Sequence, residues 1–190
     1  RQRIECAFHL ANRAHADQVR DEGTPYIEHP VRVAAILVWE LACTDVDVIM
    51  AALNHDILED CPGVSRETLS NCIGARAAAM VVDVTKQPAP PERRAERDRA
   101  YMDALPGLSR ESRLLKLADR IDNLRSVVRA NDPAKAQRYL EVSLAEFVPL
   151  ATLTSTDAVQ LIRQACQEIQ QYLESNGASS SAATPQASQH

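Results

Sequence analysis

The sequence predicts an all-α fold, and three observations carry that prediction. Apolar residues recur at helical spacing along almost the whole chain, while strict apolar–polar alternation is hard to find. Glycine is scarce, with 5 residues in 190, which disfavours a turn-rich sandwich or barrel. Aromatic residues make up only 4% of the chain, so a hydrophobic fraction of 45% must build its core mostly from Ala, Leu, Val and Ile. The length suits one domain with one sizeable core.

The elements follow in order. A first helix is expected from Gln2 to Ala16, with Ile4, Phe8, Leu10, Ala11 and Ala14 facing inward. Gly23, Thr24 and Pro25 make 17–28 a loop, and Pro30 suits the first turn of a helix carrying Val31 to Ala42, with Trp39 in the core. Asp45 or Asp47 is expected to cap a third helix running through Met50 and Leu53 to Asp60, which Pro62 and Gly63 end. Ser65 starts a short helix to Cys72, and Gly74 separates it from another through 77–84. The segment 86–99, with Pro88, Pro90 and Pro91, reads as a loop with a helix starting near Pro91. Ser109 caps a long helix to Ala130, striped by Leu114, Leu117, Ala118, Ile121, Leu124, Val127 and Val128. Asp132-Pro133 restarts the chain into a helix to Leu150, and a last one follows 154–157 and ends near Ser175. The Ser-, Ala- and Gln-rich stretch 176–190 is expected to be a disordered tail, leaving 1–175 as the single folded domain.

Charge and cysteine content narrow the function. With 21 Lys and Arg against 26 Asp and Glu the net charge is −5, which argues against bulk nucleic-acid binding but leaves room for a locally basic pocket. The five cysteines are scattered, odd in number and never spaced C-x-x-C, so neither a disulfide scaffold nor a Cys-rich zinc site is expected. A reducing, cytoplasmic compartment is the default. No run of 18 apolar residues exists, so no membrane-spanning helix is expected.

Metal-ligand residue types concentrate in four stretches: His29-Pro30, His55-Asp56, Glu59-Asp60 and 119–123. His55 with Glu59, Asp56 with Asp60, and Asp119 with Asn123 are i,i+4 pairs, each placed to stack on one side of a helix. Carboxylates at a helix C-terminus oppose the macrodipole, so stability alone does not select the pair Glu59-Asp60. On this chemistry the cluster reads equally as a metal site or as a polar network of salt bridges. As a metal site its ligands are His29, His55, Asp56 and Asp119, a set suited to Mn, Fe, Zn or Co. Glu59 and Asp60 then sit beside the ion, where a water-activating base or a leaving-group acid belongs.

Three elements occur in order: His15-x-x-Gln18-x-Arg20-x-x-Gly23-x-Pro25-Tyr26-x-x-His29-Pro30, then His55-Asp56-x-x-Glu59-Asp60, then Lys116-Leu117-Ala118-Asp119-Arg120-x-x-Asn123-Leu124-Arg125. Together they resemble the HD-type hydrolases of the RelA/SpoT family, and more closely its small stand-alone Mesh-type branch. The resemblance spans Ala7 to Leu150 and implies a helical bundle, sometimes with a small hairpin. It further implies one divalent metal, usually Mn²⁺, on His29, His55, Asp56 and Asp119, with Glu59 and Asp60 activating water. Arg20 is implied against the purine and Asn123 near the ribose. The implied reaction is removal of the 3′-pyrophosphate from ppGpp or pppGpp, with ppApp as a second candidate substrate.

Lys86 and Arg97, in a basic segment with Arg93, Arg94 and Arg99, are candidates for meeting the pyrophosphate charge, although a solvated loop paired to Glu92, Glu96 and Asp98 explains that segment equally well. Two departures stand out. Asp21 occupies a position that is often basic in family members, and Asn54 puts a polar side chain before the His-Asp pair that needs a partner if buried. His15 is expected to stabilise its helix by a hydrogen bond rather than to bind metal. An HD-type nucleotidase or phosphodiesterase with another substrate, and a non-catalytic nucleotide-binding module, are the competing readings. Self-association stays open.

Overall fold

A computed structural model describes residues 2–181, and for 177–181 only the backbone. Eleven α-helices are found among these residues: α1 (Gln2–Ala14), α2 (Glu28–Ala35), α3 (Val46–Leu53), α4 (Ile57–Asp60), α5 (Arg66–Ile73), α6 (Ala75–Val84), α7 (Arg94–Ala104), α8 (Arg110–Arg129), α9 (Pro133–Val142), α10 (Val148–Thr152) and α11 (Thr156–Ser181). The described residues form no strand, and the small hairpin is reduced to one antiparallel bridge between Val19 and Pro25.

The caps lie where the sequence puts them. Asp45, Ser65, Ser109 and Asp132 each accept a backbone N–H from the first turn of the following helix, which satisfies donors that the helix cannot. Gly74 turns α5 into α6 at φ 89°, a left-handed conformation, and the Arg3 side chain packs 3.3 Å from where a β-carbon would stand.

Helix α8 is the axis of the molecule. Leu114, Leu115, Leu117, Ala118, Ile121, Leu124 and Val127 are buried around it, and it packs against α2, α3, α6, α9, α10 and α11. Burial on more than one side is what a central helix requires.

Four expectations need correction. The third helix does not run to Asp60: it ends at Leu53, and residues 54–56 form a turn before α4. Asn54 causes the break, its Nδ2 donating to Met50 O at 3.0 Å and to Ala7 O at 3.2 Å, so its side chain competes for the helix's own carbonyl and ties α3 to α1. Trp39 is not in the core but 82% exposed. A π-turn over Ile36–Glu40 inserts an extra residue, so Ile36 and Leu37 face inward and Trp39 swings out. That helical stretch ends at Glu40 rather than Ala42, which adopts φ 51°. At the C-terminus α11 passes Ser175 and continues to Ser181, and the rest of the expected tail, 182–190, lies outside the described residues. No helix among the described residues is long and apolar enough to cross a membrane.

Candidate metal centre and adjoining cavity

His29 comes from the first turn of α2, His55 and Asp56 from the turn after α3, and Asp119 from the middle of α8. The fold brings the four together. His29 Nε2 lies 3.2 Å from Asp119 Oδ1 and 3.5 Å from Asp56 Oδ2; His55 Nε2 lies 3.1 Å from Asp56 Oδ2 and 3.5 Å from Asp119 Oδ1. One ligand atom each from His29, His55 and Asp119 falls within 4.8 Å of the others, and all three residues are buried.

Both imidazoles are held with Nε2 inward. His29 Nδ1–H donates to Asp122 Oδ2 at 2.6 Å, and His55 Nδ1–H donates to Ala52 O at 2.8 Å. That tautomer leaves each Nε2 as a lone-pair donor aimed at the cluster. His55 Nε2 is buried and makes no well-aligned hydrogen bond; the charges it meets are the Asp56 and Asp119 carboxylates, at 3.1 and 3.5 Å, an arrangement suited to a shared cation. Two imidazole nitrogens and two carboxylates match the donor set of a divalent transition metal. The residues therefore fit a divalent metal site.

Without a metal the centre is held by charge pairs. Burial opposes protonation of His29, but hydrogen bonds to Asp119, Asp122 and Asp56 outweigh it and push the ring up to about 10. Burial likewise opposes the charge on His55, and the Asp56 and Asp119 carboxylates push it up to about 9. Burial would raise Asp56 and Asp119, yet His55 and His29, and for Asp119 also Lys116, hold them well below the ordinary carboxylate range.

A support layer surrounds the cluster. Asp122 accepts from Arg32 Nε at 2.7 Å as well as from His29, and Asp119 accepts from Lys116 Nζ at 2.8 Å and Asn123 Nδ2 at 2.5 Å. Tyr26 Oη stands 2.8 Å from both Asp56 Oδ2 and Asp60 Oδ2, so its single proton is shared between a cluster carboxylate and the acid pair on α4. Burial first, and then the charges of Asp56 and Asp60, raise the Tyr26 hydroxyl far above its ordinary value, which keeps it a donor. Glu59 accepts the Lys86 backbone N–H at 3.2 Å. His15 hydrogen-bonds Gln18, whose Nε2 reaches Asp60 O at 3.0 Å, and its ring stacks on Tyr26 at 4.6 Å. His15 does hydrogen-bond, but from the turn after α1 and forward to Gln18, so it braces the loop rather than its helix.

Arg20 and Asn123, far apart in sequence, meet: Arg20 Nη2 donates to Asn123 Oδ1 at 2.9 Å. Beside them a cavity of about 500 Å³ opens onto Asp119, lined by Lys86, Tyr101, Lys116, Arg120, Asn123 and Tyr139 among others. Lys86 is also on the wall of a neighbouring trough of about 670 Å³ that holds Glu59, Arg66, Arg94 and Arg97. Arg97 does not line the first cavity, and both Lys86 and Arg97 pair with Asp98. Asp21 is not a bare acid: it pairs with Lys135, which holds its carboxyl below the ordinary value.

Sequence reasoning missed Asp122, Arg32, Tyr101 and Tyr139 and left Lys116 and Arg120 undecided. Lys116 is tied to Asp119, and Arg120 lies between the Tyr139 and Phe147 rings at 4.4 and 4.7 Å. Asp122 sits in the same turn of α8 as Asp119, and that proximity was the one available signal.

Comparison with known proteins adds a separate line. An HD-domain profile matches residues 7–154. The guanosine-3′,5′-bis(diphosphate) 3′-pyrophosphohydrolase MESH1 of Danio rerio is 43% identical over 131 residues, covering 68% of this chain and 69% of that protein. The Homo sapiens MESH1 is 38% identical over 141 residues, 71% and 77% of the two chains. The bifunctional (p)ppGpp synthase/hydrolase SpoT of Escherichia coli is 36% identical over 154 residues, which are 78% of this chain but 21% of SpoT. A solved structure of a metazoan SpoT orthologue described as hydrolysing ppGpp superposes with a TM-score of 0.79 at 27% identity, over 91% of this chain and 97% of the other.

Proposed function

This chain belongs to the HD-domain family, and on that premise we propose that it is a metal-dependent 3′-pyrophosphohydrolase of (p)ppGpp-type alarmones. It converts ppGpp to GDP and pppGpp to GTP with release of pyrophosphate, and ppApp is the second candidate substrate. The observation that carries the reading is the convergence of His29, His55, Asp56 and Asp119, with the Nε2 of both rings within 3.5 Å of both carboxylates, next to Glu59, Asp60 and a basic cavity.

In this reading His29, His55, Asp56 and Asp119 hold one divalent ion, assigned as Mn²⁺. When bound, the ion polarises a phosphoryl oxygen and makes water a stronger acid. Glu59 and Asp60 orient the attacking water and take its proton, with Tyr26 aligning Asp60. The water oxygen bonds to the phosphorus on the ribose 3′ oxygen, the old P–O bond breaks, and the 3′ oxygen ends with a proton. Arg20 lies against the purine and Asn123 near the ribose, a pairing supported by their mutual hydrogen bond. Lys86 and Arg97 meet the diphosphate charge, and reaching it means releasing Asp98. The hydrolase unit spans 1–175, and a cytoplasmic setting suits both the nucleotide and the free cysteines.

The test is to incubate the purified chain, with Mn²⁺ or with EDTA, with ppGpp, ppApp and a generic phosphodiester in parallel. Mn²⁺-dependent pyrophosphate release from the alarmones, lost in Asp56→Ala and Glu59→Ala, is the expected result. No turnover of any substrate by metal-loaded protein removes the hydrolase reading and leaves a nucleotide-binding module.

A further inference from the structure

Cys6 on α1 and Cys72 on α5 are 66 residues apart in sequence, yet their sulfurs lie 2.7 Å from each other. Neither belongs to the metal cluster, the cavity or the support layer. Cys6 is exposed and Cys72 half-buried, so an oxidant from solution reaches the pair through Cys6. Of the other three thiols, Cys61 and Cys166 are buried, with Cys61 Sγ 3.3 Å from Ala14 O, and Cys43 is half-buried.

The two helices present these thiols from a fixed interface, not from loose ends. Arg3, one turn before Cys6 on α1, donates to Ile73 O at 3.3 Å, immediately after Cys72, and to Asp47 Oδ1 at 2.8 Å. Its guanidinium packs into the space that Gly74 leaves open. A covalent S–S bond is about 2.05 Å long, so closing it asks the sulfurs to move by less than about 1 Å.

We propose that Cys6 and Cys72 form an oxidative modification site at which a peroxide-class oxidant closes an intramolecular disulfide, stapling α1 to α5. In the first step one peroxide oxygen is transferred to Cys6 sulfur, giving a sulfenic acid and one water. In the second, Cys72 sulfur bonds to Cys6 sulfur while the hydroxyl leaves with the Cys72 thiol proton as a second water. The two thiols lose two electrons and two protons, and the peroxide is reduced to two waters. A dithiol reverses the bond by thiol–disulfide exchange.

The enclosed loop contains His29, His55, Asp56, Glu59 and Asp60, which is most of the candidate centre. Closing it restricts the unfolded chain, so the oxidised protein resists thermal unfolding of the segment that carries the site. Disulfides in reducing compartments are usually transient and redox-responsive, and an exposed member of the pair fits that pattern.

The test treats the full chain with stoichiometric hydrogen peroxide, alkylates free thiols and digests without reductant. The expected result is a peptide linking Cys6 to Cys72 and a melting temperature raised by roughly 5–10 °C. Dithiothreitol reverses both, and Cys6→Ser and Cys72→Ser show neither while keeping the untreated wild-type activity. A bond from Cys6 to any other cysteine, a covalent dimer through Cys6, or Cys6 advancing to the sulfinic acid while Cys72 stays alkylatable overturns the proposal. So does an unmoved melting temperature in fully cross-linked protein.

Discussion

Asp122 illustrates how one side chain sets the chemistry of another. It accepts His29 Nδ1–H at 2.6 Å and is itself gripped by Arg32, so it fixes both the tautomer and the aim of the His29 ring. Substitution Asp122→Asn keeps the shape but removes the charge that orients the ligand, and metal affinity is expected to fall about 10–100-fold by calorimetric titration. Unchanged affinity means that the charge of Asp122 is not needed to orient His29. Tyr26 bridges Asp56 and Asp60 through one hydroxyl, each oxygen pair at 2.8 Å. Removing a hydrogen bond to a charged group costs about 1.5–3 kcal/mol, so Tyr26→Phe is expected to lower alarmone turnover by roughly ten- to a hundredfold. Its ring still stacks on His15, so folded structure by circular dichroism is retained.

At the scale of the elements, the break between α3 and α4 is what builds the centre. A continuous helix from Val46 to Asp60 would place His55 and Asp56 on successive positions of a cylinder, pointing about 100° apart. The turn imposed by Asn54 instead brings His55 Nε2 and Asp56 Oδ2 to 3.1 Å, with α4 presenting Glu59 and Asp60 beside them. The start of α3 carries its own titratable cap. Hydrogen bonding from Arg76, together with backbone N–H groups, holds the Asp45 carboxyl below its ordinary 3.8. A folded-state value below the unfolded one means that the stabilisation is present above about pH 4 and is lost as pH falls through the folded value. Acid titration followed by circular dichroism should therefore show Asp45→Ala less stable than wild type by about 1 kcal/mol at neutral pH, with the gap closing in acid. A gap independent of pH would mean that the charge of Asp45 does not matter.

Across the whole molecule, His29, His55, Asp56 and Asp119 come from three separate segments, α2, the α3–α4 turn and α8, so a metal on them cross-links the bundle through its central helix. A ligand that binds only the native state stabilises it by about 2.7 kcal/mol at a hundredfold excess over Kd. For a chain of this size each kcal/mol is worth about 2–4 °C, so saturating Mn²⁺ is expected to raise the melting temperature by roughly 5–10 °C, and EDTA to reverse it. Asp119→Asn should melt at the same temperature with and without the metal. A metal-induced shift retained in that variant would place the ion elsewhere.

The sequence by itself determined the all-α class, the caps at Ser65, Ser109 and Asp132, a cap at Asp45 or Asp47, the long helix carrying Asp119, and the cluster His29, His55 and Asp119 with Asp56 adjoining it. All of these but the cluster are local: helical periodicity and capping chemistry act within a few residues of one another, while the cluster, drawn from three segments, was legible through three short motifs that occur in order. The tertiary structure alone decided that Asp122 orients His29 and that Tyr26 joins Asp56 to Asp60. It also paired Asp21 with Lys135, placed Arg120 between two rings and turned Trp39 outward. Each of these contacts joins segments from different parts of the chain or depends on one extra residue in a π-turn. Spacing along a sequence fixes which face of a helix a side chain occupies, but which partner it meets is set by how whole helices pack.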